Sequence, residues 1–246
     1  MGVSDVVVRP QVIAHRGASR AERENTVEAF RRAGVMRSDA VELDVRRTSD
    51  GVLVVHHNPD LADGRLVAAT QHADLPAHVP TFEAALDACA GMWVNVEIKN
   101  DPAEADFDPT DAIADRTMEV LMARGESERW LISSFRLETV DRCRAIADSA
   151  PTPGPRHIRT AWLTTVVPDE AVDAVVERLV AGGHSALHPW VETLGRRVVD
   201  ACHAHGLQVN TWTCDDPDRM RELAGWGIDG ICTNVPDIAL GVLSDT

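Results

Sequence analysis

Several apolar runs in this sequence end in side chains that can bind a cation or transfer a proton. They occur as three pairs, each of adjacent residues or of residues two apart: His15 with Arg16, Glu42 with Asp44, and Glu97 with Lys99. Side chains at positions i and i+2 share one face of a β-strand, so the two members of such a pair point the same way. If the three runs lie side by side in a sheet, the pairs meet at one edge and form a single site.

The three carboxylates indicate a metal site. Glu42, Asp44 and Glu97 would repel one another at one rim unless a cation lay between them, and their oxygen ligands suit Mg²⁺ or Ca²⁺ better than zinc. With Arg16 and Lys99 beside such a cation, the rim is a place for a phosphate group. The alternative is that all these residues are solvated strand ends that form ion pairs. The grouping of three carboxylates favours the site.

Two histidines could supply acid–base chemistry there. Hydrolysis of a phosphodiester needs a base for the nucleophile and an acid for the leaving alkoxide, and imidazoles can serve as both. His15 and His57 form the expected pair. Side chains alternate along the run 52–57, so only one of His56 and His57 faces the metal.

Short β-branched runs alternate with longer amphipathic stretches along the whole chain. This alternation predicts a parallel sheet covered by helices. The strand candidates are residues 11–15, 40–45, 52–57, 93–99, 130–135, 159–165, 185–188, 208–213 and 230–234.

One of these nine strands must lie outside the repeat. Only the turn tetrad 48–51, with its Asp-Gly hairpin signal, separates strand 52–57 from the strand before it, and a parallel crossover needs a dozen residues or more. That strand therefore runs antiparallel, and eight β/α units remain. We expect an α/β TIM barrel spanning 1–246 as one domain, with an insertion at 58–80. A doubly wound sheet is the alternative, but no GxGxxG follows any strand.

Helix boundaries carry local signals. Asn25 with Glu28 resembles a capping box, which would make Asn25 and Thr26 capping residues. Asp216 followed by Pro217 predicts another helix start. Two glycines, at 182 and 227, are expected helix ends, and a third, at 17, is expected to let the backbone pass close to a substrate.

Composition narrows the range of partners. The net charge is −15, which disfavours nucleic acid and stable association with anionic membranes, while hydrophobic residues make up 44% of the chain. The five cysteines include no CxxC pair, which is typical of a reducing compartment. Val6 to Val8 is too short for a signal-peptide core, and we expect a cytoplasmic protein.

Taken together, the motifs resemble those of the glycerophosphodiester phosphodiesterase family. The resemblance runs from residue 11 to about 237, and the combination in this order is specific. Its elements are HRG (15–17), ENT (24–26), VELDV (41–45), DG-x-x-VV-x-H (50–57), VEIK (96–99), SSF (133–135), WT (212–213) and GIDGICTNVP (227–236).

The resemblance implies a TIM barrel that hydrolyses glycerophosphodiesters to glycerol 3-phosphate and an alcohol with a divalent metal. It places the metal on the three carboxylates, the catalytic histidines at His15 and His57, and the phosphate contacts at Arg16 and Lys99. Trp212, within a strand, either forms an apolar wall for the glycerol or fills the barrel.

Some positions depart from the family pattern. Asn58 replaces the aspartate that follows the family's second histidine, LADGR (61–65) replaces its L-x-R-T-T, and the insertion is shortened. The shortened insertion leaves open a phospholipase D-like action on lysophospholipids. The other departures leave open a barrel that binds ligand without turnover. The run CHAH (202–205) looks like a metal motif, but we interpret it as a helix end whose histidines complement the helix dipole.

Overall fold

Eight parallel strands close into a barrel in this computed structural model, which describes residues 9–244. The run Val6 to Val8 lies outside the described residues. The strands are β1 (Gln11–Ala14), β2 (Ala40–Arg47), β3 (Leu53–Val55), β4 (Trp93–Ile98), β5 (Trp130–Ser134), β6 (Arg159–Thr164), β7 (Ala186–Pro189), β8 (Gln208–Thr211) and β9 (Gly230–Thr233).

The barrel closes because β1 pairs in parallel with both β2 and β9. The remaining strands follow one another around the ring, with β3 bonded outside it. This confirms the predicted TIM barrel with one extra strand, and the alternative of an open doubly wound sheet is wrong.

One α-helix follows each strand of the ring, although α2 comes after the extra strand β3. The helices are α1 (Val27–Met36), α2 (Phe82–Ala88), α3 (Ala112–Arg124), α4 (Leu137–Ser149), α5 (Val172–Ala181), α6 (Arg196–Ala204), α7 (Pro217–Trp226) and α8 (Pro236–Leu243). Two large clusters of buried apolar side chains fill the layer between strands and helices, as expected for parallel strands that are covered on their outer face.

The extra strand β3 runs antiparallel to β2, as predicted. Val45 lies opposite Val55, and the turn between the strands includes Gly51 with a φ of 83°. The segment that follows, 58–80, contains two short 3₁₀ turns and packs its own small apolar cluster against Val54. Because the hairpin reverses the chain, the residues after β3 run back along β2, and the amide of His56 donates to the Asp44 carbonyl at 3.0 Å.

The helix signals are confirmed at α7 and wrong in one detail at α1. Asp216 caps α7 with its side chain and Gly227 ends it in the left-handed region. At α1, the hydroxyl of Thr26 accepts from the amide of Ala29 and is the actual cap. Asn25 has a φ of 55° and turns its side chain away from the helix, so the predicted capping box does not form.

No helix among residues 9–244 is long and apolar enough to cross a membrane.

Gly17 is required by a close approach to helix α1. Its φ is 81°, and a Cβ placed on it would lie 2.6 Å from the carbonyl carbon of Ala29. The amide of the next residue, Ala18, also donates to the Ala29 carbonyl at 3.0 Å. The backbone at Gly17 therefore passes closely against helix α1.

Substitution at Gly17 should cost more than backbone strain alone. We expect Gly17→Ala to lower the free energy of unfolding by about 2–4 kcal/mol, since it adds overpacking to the left-handed backbone penalty. Gly51→Ala is a matched control with a φ of 83° and nothing within 4 Å of the new Cβ, and we expect it to cost about 1–2 kcal/mol. Urea unfolding followed by circular dichroism measures both. Equal losses for the two variants would contradict the close approach.

Candidate active site

The predicted residues meet at the carboxyl ends of three neighbouring barrel strands. β2 pairs with β4 in a register that sets Asp44 beside Glu97 and Glu42 beside Asn95. β1 lies on the other side of β2, and the chain leaves it directly into His15. Parallel pairing thus brings together side chains that are more than fifty residues apart in sequence.

The three carboxylates form a compact cluster. One oxygen from each of Glu42, Asp44 and Glu97 lies within 4.8 Å of the others, and all three residues are buried. Within residues 9–244, no other group of three or more histidines, cysteines or acids has this spacing. The oxygen-only donor set and the short separations fit a divalent cation such as those bound by carboxylates in other proteins.

Glu42 lies in an environment in which a bound cation would stabilise its charged form. Its Oε1 is buried without a hydrogen-bond partner among the described residues. Burial, together with repulsion from Asp44 and Glu97, raises the pKa of Glu42 well above its usual value. Burial also raises the pKa of Glu97. A cation bound among these oxygens would provide a partner for Oε1 of Glu42 and would offset the rise in both pKa values. The residues present therefore fit the metal that the sequence predicts.

Asp44 is the member of the cluster held ionised by the protein itself. Burial acts to raise its pKa, but the charges of Lys99 and Arg16 outweigh this and hold the pKa well below its usual value. Lys99 Nζ lies 3.0 Å from Asp44 Oδ1, and Arg16 Nε lies 3.4 Å from Oδ2. The side-chain amide of Asn25 donates to Oδ2 at 2.7 Å. This contact explains why Asn25 does not cap α1.

Lys99 lies directly after β4 and links two of the carboxylates. Its ammonium group contacts Glu97 as well as Asp44, and these two charges raise its pKa although burial acts to lower it. The ammonium also lies 5.9 Å from the ring centroid of Phe135, which follows β5. Phe135 is part of the SSF motif, but its aromatic contact with Lys99 was not foreseen.

Arg16 is fixed at both its backbone and its side chain. Its amide donates to Glu42 Oε2 at 2.9 Å, a geometry that goes with its left-handed φ of 54°. Its guanidinium binds Glu24 at 3.0 Å and lies against Asp44. Glu24 is the first residue of the ENT motif (24–26). A positive group is therefore held at the edge of the acidic cluster.

His15 points one ring nitrogen at the cluster and the other at the end of β9. Nε2 lies 4.0 Å from Glu42 Oε2, while Nδ1 is 2.7 Å from Oδ1 of Asn234. Burial, and after it the charge of Arg16, lowers the pKa of His15. Asn234 belongs to the quoted TNVP segment, but nothing in that pattern identified it as the partner of a histidine.

His57 approaches the cluster from the end of β3. The amide of the preceding residue, His56, donates to the Asp44 carbonyl at 3.0 Å. Burial lowers the pKa of His57 to about 4, while the charge of Asp44 acts to raise it and those of Lys99 and Arg16 act to lower it. Its Nδ1 is 2.7 Å from Asn58 Oδ1, so the amide side chain at position 58 still contacts the histidine. His56 instead places Nδ1 2.9 Å from the main-chain carbonyl of Asn58.

A fully buried arginine holds the main chain of His57, and sequence reasoning missed it. Arg46 Nε and Nη2 donate to the His57 carbonyl at 2.9 and 2.5 Å. The same guanidinium binds Asp106 at 2.8 Å and Glu104 at 2.9 Å, both on the loop after β4. Arg46 follows the VELDV motif, where a hydrophilic residue at the end of a strand gives no sign of being buried.

Trp212 lies half-buried at the mouth of the barrel. Its indole N–H donates to the His188 carbonyl at 2.9 Å, and its ring meets Phe135 edge to face at 5.3 Å between centroids. It lines the same cavity as His15, Glu42 and Glu97. The ring therefore faces the site as well as packing within the barrel.

The two serines of the SSF motif and the CHAH run take no part in the cluster. Ser134 donates its hydroxyl to the Ile98 carbonyl at 2.8 Å, and Ser133 is buried. In the CHAH run, His203 pairs with Asp229 at 2.9 Å, and the run contributes to no group with metal-ligand spacing among residues 9–244.

Known proteins resemble this chain over almost its whole length. A protein of Caldanaerobacter subterraneus subsp. tengcongensis named glycerophosphodiester phosphodiesterase is 27% identical, covering 94% of this chain and 97% of the relative. A Mycobacterium tuberculosis protein named probable glycerophosphodiester phosphodiesterase 2 is 30% identical, covering 94% of this chain and 89% of the relative.

The fold is also found in solved structures. One, an Oleispira antarctica phosphodiesterase in complex with the product sn-glycerol-3-phosphate, has a TM-score of 0.83 at 24% identity, covering 96% of this chain and 97% of the other. At that identity the likeness shows the fold. The model of the glycerophosphoryl diester phosphodiesterase family matches residues 15–74 and 61–238. The chain belongs to this family.

Proposed function

We propose that this protein hydrolyses glycerophosphodiesters to glycerol 3-phosphate and an alcohol. The observation that carries the proposal is the cluster of Glu42, Asp44 and Glu97 at the barrel mouth, with two cationic side chains and two histidines around it. Relatives over nearly the full length of the chain are named for this activity. We take residues 1–246 as one domain with the short insertion 58–80.

The charges of the site suit a phosphodiester anion together with a cation. Three carboxylates face two cationic side chains, Arg16 and Lys99, so negative charge is left over for a divalent ion, Mg²⁺ or Ca²⁺. When bound, that ion supplies Lewis-acid stabilisation of charge on the phosphate oxygens. Arg16 and Lys99 bind the phosphate from the flanks, and Trp212 provides an apolar wall for the glycerol carbons.

The two histidines divide the proton transfers. Burial lowers the pKa of both, so each imidazole is neutral near pH 7 and able to accept a proton. A phosphodiester anion bound beside one of them raises its pKa again and favours its charged, proton-donating form. One of His15 and His57 then deprotonates the nucleophile, and the other protonates the leaving alcohol. Attack by water gives glycerol 3-phosphate directly, whereas attack by a glycerol hydroxyl gives a cyclic phosphate that a water molecule then opens to glycerol 3-phosphate.

The protein is expected to act in the cytoplasm on water-soluble diesters derived from lipids. Its net charge of −15 disfavours anionic membrane surfaces. All five cysteines are buried and unpaired, which suits a reducing compartment.

Replacing both histidines should abolish turnover. We expect the wild-type protein to release glycerol 3-phosphate from glycerophosphocholine or glycerophosphoethanolamine with Mg²⁺ or Ca²⁺. His15→Ala/His57→Ala should lower kcat at least about 10³-fold, because acid–base catalysis contributes about 10²–10⁴. His203→Ala is the control, because His203 lies at the carboxyl end of α6 and takes no part in the cluster. An enzyme-coupled assay for glycerol 3-phosphate measures the rates. Full activity in the double variant would contradict the assignment of His15 and His57 as the residues that transfer protons.

Removing one carboxylate should weaken both metal binding and activity. We expect Glu42→Gln to lower metal affinity by at least about tenfold, since it removes a charged oxygen ligand. Glu128→Gln, an exposed acid before β5 at the opposite end of the barrel, should match the wild type. Calorimetric titration with Mg²⁺ or Ca²⁺ measures affinity, and chelation followed by metal return should abolish and restore turnover. Unchanged metal affinity in Glu42→Gln contradicts the site.

The buried Arg46 should matter for catalysis through the position of His57. Arg46→Lys keeps a positive charge for Asp106 but loses the two-point donation to the His57 carbonyl. We expect kcat to fall about tenfold or more, because small misplacements of a catalytic group cost up to about 10²-fold. KM should change little, since Arg46 does not line the substrate site.

Arg47→Met is the matched control for Arg46→Lys. Arg47 is the next residue on β2, and its ion pair with Asp108 at 3.2 Å is partly exposed and does not reach His57. Steady-state kinetics on both folded variants distinguishes a role of Arg46 in positioning His57 from a role in the fold alone. Equal kcat values for Arg46→Lys and Arg47→Met would show that the buried guanidinium only supports the fold.

A further inference from the structure

Asp215 follows β8 and is hydrogen-bonded to none of the three carboxylates or the two cationic side chains, yet it is linked to His15. We propose that Asp215 is a positioning residue that, through Asn234, fixes which nitrogen of His15 carries the proton. The consequence for turnover rests on the proposed function, whereas the protonation pattern itself does not.

Asp215 fixes the orientation of the Asn234 side chain. Its Oδ1 accepts from the main-chain amide of Asn234 at 2.8 Å and from the hydroxyl of Thr233 at 2.9 Å. Its Oδ2 is 2.8 Å from Asn234 Nδ2. A carboxylate can only accept hydrogen bonds, so the group that Asn234 turns to it must be the NH₂. The alternative amide orientation would set two oxygens against each other.

The amide oxygen of Asn234 is then directed at His15. Oδ1 lies 2.7 Å from His15 Nδ1 and also receives the hydroxyl of Ser19 at 3.0 Å. Because an amide oxygen cannot donate, Nδ1 must carry the proton. In the neutral imidazole the free lone pair is therefore on Nε2, the nitrogen that lies 4.0 Å from Glu42 Oε2.

His15 thus presents an acceptor to the acidic cluster and its substrate. The opposite tautomer would turn an N–H toward that side and could not take a proton there. His57 is held differently: Asn58 Oδ1 contacts its Nδ1, but within residues 9–244 no carboxylate is hydrogen-bonded to the Asn58 amide. The chain of hydrogen bonds from Asp215 therefore acts on His15 and not on His57.

The isosteric change Asp215→Asn should reverse the chain of hydrogen bonds. The new amide oxygen still accepts from the main-chain amide of Asn234 and from Thr233, so its NH₂ faces the Asn234 side chain. Asn234 must then rotate its amide, which directs NH₂ at His15 Nδ1 and moves the imidazole proton to Nε2. We expect kcat to fall about tenfold or more with little change in KM, the size typical of lost partners behind a functional histidine.

The exchanged pair Asp215→Asn/Asn234→Asp should restore the original pattern. A carboxylate at position 234 accepts from the new amide at 215 and from His15 Nδ1, so the proton returns to Nδ1. Recovery of most of the lost kcat in this double variant is expected. Glu192→Gln is the charge control, since Glu192 is exposed, lines the same groove as Asp215 and has no contact with Asn234.

Two-bond ¹H–¹⁵N NMR of the imidazole nitrogens reads the tautomer directly. Spectra of the neutral ring should show a protonated Nδ1 for His15 in the wild type, Glu192→Gln and the exchanged pair, and a protonated Nε2 in Asp215→Asn. A wild-type His15 with its proton on Nε2, or no change of tautomer in Asp215→Asn, overturns the inference. Absence of hydrolysis in the wild type would instead overturn the proposed function and leave the NMR test intact.

Discussion

The site depends on holding three carboxylates in a buried space where they repel one another. Asp44 is the centre of that balance, since Lys99 and Arg16 both lie within 3.4 Å of its oxygens and keep it ionised. Glu42 and Glu97 have less compensation, and their pKa values are raised. A pocket that is negative at its centre and positive at its flanks can take a cation and an anionic substrate together.

This balance is possible because a parallel barrel sends all its strand ends to one rim. The register that aligns β2 with β4 sets two carboxylates side by side, and the hairpin to β3 returns His57 to the same edge. Buried side chains away from the cluster then hold the residues of the site in position. Arg46, with no exposed surface, joins the His57 carbonyl to the loop after β4, so the main-chain position of His57 depends on a buried ion-pair network.

Much of this could be read from the sequence, and the failures have a common cause. Alternating apolar runs predicted the barrel, and the short link 48–51 placed β3 outside it, because both depend on local periodicity and loop length. The cluster followed from residue types at strand ends. Asn25 and Arg46 were misread or missed because their partners are distant in sequence, and an amide or a guanidinium does not reveal its partner. Asn234 was missed for the same reason.

Both histidines are backed by amides, at Asn234 and Asn58, where a carboxylate would have stabilised a charged ring more strongly. Although these amide contacts act to raise the pKa of each ring, burial and nearby positive charge, Arg16 at both rings and Lys99 at His57, outweigh them and lower it, so the protein alone favours two neutral imidazoles. If one of these histidines donates a proton, as we propose, its charged form must be stabilised by another group in the site. In the proposed mechanism the phosphodiester anion supplies this compensation, so protonation of one histidine follows from substrate binding and the acid does not form before the substrate binds.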